Sequence, residues 1–267
     1  MIALTCFGNA FMAGLRVPEF FPLNSTCIFC DRVNFVSAKR SILGEHIEEE
    51  ISKTPDQWFK YLKLVGAKGI CLSLKPANSP NIPDWISNAL VNAGKTWSME
   101  AIIPGHQSCF WTSRWEVWTQ NAQDDRIWRV TYEKTRSNRL FRKKTVNLDN
   151  IIMRLTKVLV EVHDFSLKHK CNGFMGVFAD ALDTLNSKGK KLHGYHKDLA
   201  PHGFLSSEAL TVLDACQQSW VFGGMGSWND LWFEVDAQKE YVRLSAQLLQ
   251  TVNEAIIAGA NSTLSSG

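Results

Sequence analysis

Three of the seven histidines fall within ten residues, in the run His193-Gly194-Tyr195-His196-Lys197-Asp198-Leu199-Ala200-Pro201-His202. Imidazole exchanges a proton near neutral pH and is the commonest zinc ligand, and three ligands around one open position make a catalytic site. The pattern therefore marks His193, His196 and His202 as candidate metal ligands, with zinc the metal to expect. It marks His196, His202 and Asp198 as candidate acid–base groups. His196 is the ring favoured as base or ligand, because Lys197 and Asp198 beside it can tune its charge. The segment is a loop punctuated by glycine and proline. It is not the H-E-x-x-H helix that aims two rings at one ion, so spacing alone fixes no geometry.

A second loop, residues 219–230, reads Ser-Trp-Val-Phe-Gly-Gly-Met-Gly-Ser-Trp-Asn-Asp. Glycines let a backbone approach a ligand closely and expose its amides. Gly223, Gly224 and Gly226 are thus candidate ligand contacts, with Asn229 and Asp230 as polar groups. The phosphate-binding patterns G-x-x-x-x-G-K-[ST] and G-x-G-x-x-G are both missing, so a structural turn is the plainer reading. If the two loops meet, Tyr195, Trp220 and Trp228 would wall a mostly apolar pocket whose polar tips are His196, His202, Asp198 and Asp230.

Other groups carry weaker signals. Cys27-Ile-Phe-Cys30 is a single C-x-x-C without the second pair of a structural zinc site, and in a strand its thiols would point to opposite faces. The remaining cysteines are scattered in apolar runs, which suits buried free thiols and a reducing, cytoplasmic setting. Asp180 and Asp183 lie one turn apart on an expected helix and read as a solvated face. Lys134, Arg136, Arg139, Arg142, Lys143 and Lys144 occupy eleven residues without an acid. Such a run can neutralise phosphates, but Phe141 is its only aromatic residue, short of the interleaving of a single-strand groove, so a solvated connection is expected and no specific nucleic-acid partner. Five of the ten tryptophans, Trp97, Trp111, Trp115, Trp118 and Trp128, cluster in one region. In an extended strand Trp111 and Trp115 share a face and Trp118 takes the other, so one face can fill a core and indoles remain for a helix, a ligand or a partner.

The elements that must position these groups follow from pattern. Residues 2–7 and 26–36 read as strands and 45–52 as a short acidic helix. Thr54 as cap, Pro55 at the first helical position, Gln57 in a capping box and Gly66 as stop define a helix between them. Strands follow at 68–74, 96–103, 109–119 and 126–133, the last two antiparallel, with a helix at 82–93. From residue 146 the period changes. Ile151, Leu155, Val158, Val162 and Phe165 recur at three and four residues. So do Phe174, Phe178, Ala181 and Leu185, and also Leu244, Leu248, Val252 and Ile256. Ser206 caps a fourth helix. The expectation is an α+β chain: a mixed sheet with packed helices over residues 1–135, a basic connection at 134–145, and an all-helical half at 146–260.

The chain has 267 residues and a formal net charge of +3, with 45% hydrophobic and 21% charged residues. That is ordinary for a globular protein and excludes wholesale disorder. The charge-free opening, residues 1–15, is shorter than the ~20 residues of a membrane span and lacks the basic start and cleavage site of a signal peptide. No membrane association is expected. G-x-S-x-G, H-E-x-x-H and the kinase motifs are all missing. The function expected first is a non-catalytic binding or protein-interaction module, taking a protein partner or a small ligand. The alternative is a hydrolase-like enzyme, metal-dependent or not, working through the histidine loop. A weak nucleic-acid binder comes third.

Overall fold

The computed structural model describes residues 1–40, 46–75, 96–105, 109–120, 122, 124–136 and 147–264. In chain order these hold α1 (Ile2–Met12), a 3-10 turn (Ser25–Cys27), β1 (Cys30–Arg40), β2 (His46–Ser52), α2 (Pro55–Leu64), β3 (Gly69–Lys75), β4 (Thr96–Ile102), β5 (Cys109–Val117) and β6 (Trp128–Arg136). Then come α3 (Leu148–Lys168), α4 (Asn172–Asn186), α5 (Ser207–Gln218), a second 3-10 turn (Trp228–Asp230) and α6 (Val235–Asn261). This is the α+β arrangement expected: every described strand precedes residue 137, and four helices follow. The helix expected at 82–93 lies outside the described residues. So do Arg139, Arg142, Lys143 and Lys144 of the basic run. Among the described residues no helix is long and apolar enough to cross a membrane.

The six strands pair in the order β2-β1-β6-β5-β4-β3. All neighbours are antiparallel except β1 and β6, where Val33 faces Val130 and Phe35 faces Tyr132 in parallel register. Phe35 stacks on Trp58 of α2 at 4.4 Å and on Tyr132 at 5.0 Å, with Trp111 edge-on at 5.7 Å. That aromatic cluster is part of one apolar core, which continues without a break into the helical half.

Three local expectations are corrected. Residues 2–7 are helical. Residues Ala3 to Ala10 of α1 are all buried, so the segment has no polar face, and an apolar run without periodicity reads equally as strand or helix. Gly8 lies close against β3, where an added Cβ would run into the Ile70 side chain. The described part of 45–52 is strand, not helix. Its glutamates favour helix intrinsically, but pairing with β1 overrides that; Glu48, Glu49 and Glu50 are exposed on an edge strand, where charge discourages further pairing. The stretch from Thr26 begins as a 3-10 turn, because the Asn24 side chain accepts both the Thr26 N–H at 3.1 Å and its hydroxyl at 2.6 Å, and the strand starts only at Cys30.

The expected capping signals stand where the sequence puts them. Thr54 Oγ1 accepts the Gln57 N–H at 3.3 Å, Gln57 Oε1 accepts the Lys53 N–H at 3.0 Å, and Gly66 ends the helix with φ +82°. Ser206 caps α5 by accepting the Ala209 N–H at 3.2 Å.

At the other edge of the sheet, β3 is covered by two side-chain amides. Asn9 of α1 accepts the Ile70 N–H at 2.6 Å and donates to its carbonyl at 2.9 Å. Asn261, at the end of α6, does the same for Leu72 at 2.7 and 2.8 Å. Two asparagines thus stand in for a seventh strand, satisfying backbone groups that would otherwise be open to another chain. They also fix the first and last helices against the sheet.

Candidate functional site

Helix α5 organises the histidine loop. Asp214 and Gln217 lie one turn apart on it and face the loop. The Asp214 carboxylate, 2% exposed, accepts the backbone N–H of His193 at 2.8 Å and of Gly194 at 3.0 Å. Gln217 accepts the His196 N–H at 2.8 Å and returns its amide N–H to the His196 carbonyl at 3.1 Å. The loop that precedes α5 in sequence is thereby drawn back along it toward its C-terminal end. Gly194 is required for this approach, since a Cβ would lie 2.5 Å from Asp214 Oδ1 and 2.6 Å from Gln217 Nε2.

The far side of the loop is held by the 3-10 turn before β1. Asn24 Nδ2 donates to the Asp198 carbonyl at 2.8 Å, and the Ser25 N–H donates to Asp198 Oδ2 at 2.8 Å. The Ser25 hydroxyl bonds Asp198 Oδ1, and His196 Nδ1 lies 2.8 Å from the same hydroxyl. A carboxylate can only accept, so the single hydroxyl proton of Ser25 goes to Asp198. His196 Nδ1 must then carry the other proton and donate to Ser25. This relay sets the tautomer of His196 and leaves Nε2 with its lone pair free. Burial pushes the His196 imidazole below its ordinary range, outweighing the attraction of Asp198. The turn carrying Ser25 is itself braced through the preceding loop, where Asp56 of α2 accepts the N–H groups of Phe20 at 2.8 Å and Phe21 at 3.1 Å.

His196 lines a cavity of about 840 Å³ between the sheet and the helices. The walls are Ile2, Ala3, Leu72, Leu199, Leu213 and Ile256, with the rings of Trp97, Trp115, Tyr195 and Trp220. Three of those rings reach solvent at the mouth: Tyr195 is 68% exposed, Trp115 54% and Trp220 38%. The rest of the lining is Met1, whose buried amino group is a further polar atom of the wall, Cys216, and the polar side chains of His193, Gln217, Gln218, Ser113 and Thr26. Trp111, on the same face of β5 as Trp115, is fully buried in the core. Trp118, past the end of that strand, stacks under the Arg129 guanidinium at 3.0 Å.

The two loops singled out by sequence therefore share this cavity through His193, Tyr195 and His196 on one side and Trp220 on the other. Asp198 stands behind His196 as its support. The other residues named from sequence lie elsewhere. His202 is exposed and does not line the cavity. Gly223, Gly224, Gly226, Asn229 and Asp230 form a turn outside it: Gly226 takes φ +82° and donates its N–H to Asp230 Oδ2 at 2.5 Å, closing the turn on itself. Trp228 is no pocket wall. It is fully buried among Phe165, Phe174, Phe178 and Tyr241, with its Nε1 donating to Ser245 at 2.8 Å.

His193 Nε2 pairs with Asp183 of α4 at 3.3 Å, and Lys191 joins the same carboxylate at 3.1 Å. These partners hold the Asp183 carboxyl below its usual range. Among the described residues no three histidine, cysteine or acidic groups come together to hold a metal ion, so His193, His196 and His202 form no zinc set. All seven cysteines are free. Cys27 and Cys30 are buried and near enough to act on each other's thiols, not turned to opposite faces, because the pair straddles the end of a 3-10 turn and the start of β1. That contact lowers the Cys27 thiol and, with burial, raises Cys30.

Sequence reading missed Ser25, Asp214 and Gln217. Asp214 left one trace, as a carboxylate inside the apolar run from Ala209 to Cys216, where only a fully paired acid is tolerated. Ser25 left none, since its partners are 171 and 173 residues away. No protein-family model, curated protein or solved structure matches this chain.

Proposed function

We propose that the protein is a non-catalytic binding module that takes a compact, mostly apolar small molecule in the cavity between its sheet and its helices. The observation that carries this reading is the cavity itself. Its volume of about 840 Å³ is within the range of small-molecule sites, and its make-up is theirs too: apolar and aromatic walls with few placed polar groups. Partly exposed rings around its mouth are surface a globular protein leaves uncovered for contact. The seven free cysteines support a reducing, cytoplasmic setting. The test is calorimetric titration with naphthalene-sized probes. Saturable 1:1 binding that weakens when Trp115 or Trp220 becomes Ala is the expected result. No binding by any such probe would overturn the reading.

A second reading, a hydrolase-like enzyme, is favoured by the Asp198–Ser25–His196 relay, because an oriented neutral imidazole is the usual general base. In that reading His196 Nε2 takes a proton from water as the water oxygen attacks an ester carbonyl. It then returns the proton to the departing alkoxide as the carbon–oxygen bond breaks. Release of naphthol from 2-naphthyl acetate, abolished by His196→Ala, would support it. Turnover unchanged in that variant would exclude it.

A further inference from the structure

Four polar side chains of the cavity wall are engaged within the protein. Both ends of the Gln217 amide are held by the His196 backbone. Thr26 Oγ1 donates to Asn24 at 2.6 Å, Ser113 Oγ accepts the Trp115 indole N–H at 3.3 Å, and His193 Nε2 faces Asp183. His196 differs. Its Nδ1 is committed to Ser25, and its Nε2 has no partner among the described residues. The Gln218 amide can present either of its ends and so does not discriminate between ligands.

We infer that the occupant of the cavity carries a hydrogen-bond donor, a hydroxyl or N–H on an otherwise apolar, ring-sized body, and that His196 Nε2 accepts it. The inference rests on the binding reading above and adds the ligand's chemical class. Its basis is the direction of the relay. Asp198 fixes the proton of Ser25, Ser25 fixes the proton of His196, and the ring therefore meets the cavity as an acceptor. The low proton affinity that burial gives the ring keeps it so at neutral pH. A donor replaces the water that Nε2 loses when the cavity fills. An ether, a ketone or a carboxylate brings only acceptors and leaves Nε2 desolvated and unpaired, which a site of this kind penalises. Phenols, alcohols and indole-type N–H groups are the class selected.

The test compares three near-isosteric probes on the full chain by calorimetry: 2-naphthol, 2-methoxynaphthalene and naphthalene. The expected result is naphthol binding about tenfold or more tightly than the methyl ether. His196→Phe should bring that ratio close to one while the ether still binds. Ser25→Ala should shrink the ratio, because it frees the tautomer. An unchanged circular dichroism spectrum checks that both variants fold, and either variant suffices. Equal affinity of naphthol and its ether for the unaltered protein would overturn the donor inference and leave the binding reading standing. A ratio preserved in His196→Phe would overturn the assignment to His196. Failure of all three probes to bind would overturn the binding reading, and the inference with it.

Discussion

The backbone N–H of Gly194 lies 3.0 Å from both carboxylate oxygens of Asp214. This contact converts a loop ahead of a helix into a loop along it, and so brings His196 to the cavity. Asp214→Ala would leave two loop N–H groups without their acceptor in a buried place. It is expected to cost about 3 kcal/mol in urea unfolding and to abolish probe binding. Asp214→Asn, which keeps one oxygen, should lose less of both. A stable Asp214→Ala protein with unaltered affinity would contradict the role given to this contact.

Trp228 and Trp220 have opposite duties although they share a loop. Trp228 is buried in the helical core and Trp220 lines the cavity at 38% exposure. Trp228→Ala is expected to destabilise by about 3–5 kcal/mol. Trp220→Ala should stay within about 1 kcal/mol yet weaken probe binding. The crossed pattern would appear in parallel denaturation and titration. A destabilised Trp220 variant with intact affinity would reverse the assignment.

Much of the fold was legible in local pattern. The Thr54-Pro55-Gln57 start and Gly66 stop of α2, the Ser206 cap and the three- and four-residue spacing in the C-terminal half each depend on neighbours in sequence. What failed depends on distant partners. Helix α1 is buried on all sides by the rest of the chain, and β2 is a strand because β1 lies beside it. The site divides the same way. Tyr195, His196 and Trp220 could be singled out by residue type. Their meeting depends on Asp214, Gln217 and Ser25, whose roles are set by tertiary contacts. Gly223, Gly224 and Gly226 looked chemical, but a glycine run serves a self-closed turn equally well, and Asp230 closes this one.

Edge protection by asparagine predicts a localised change. Asn261→Leu keeps the volume but removes both bonds to Leu72. The Leu72 amide should then exchange with solvent much faster, while Ile70, held by Asn9, stays protected. The open edge should also favour association at high concentration. Unchanged Leu72 exchange would show that the side-chain amide does not hold that edge.

The pH dependence of stability follows from His196. Its folded-state affinity for a proton is lowered by burial, against the opposing pull of Asp198 and with a smaller lowering contribution from the Met1 amino group. Below the ordinary value of 6.5 the unfolded chain takes up this proton before the folded one does. The neutral ring's contribution is therefore complete above that value and is lost as pH falls toward the lowered folded value. Urea midpoints at about pH 7.5 and about pH 5.5 should fall more for the unaltered protein than for His196→Gln. Parallel falls would contradict the burial of this ring.

Fluorine resonances of 5-fluorotryptophan incorporated throughout the chain report whether the cavity between sheet and helices is the binding site. Single Trp→Phe replacements assign the signals. On titration with 2-naphthol, the resonances of Trp97, Trp115 and Trp220, which line the cavity, should shift together and saturate. Those of Trp58, Trp111 and Trp228, which are fully buried in the core, should hold their positions. Saturable shifts confined to tryptophans outside the cavity, or no shift at all, would rule the cavity out as the binding site.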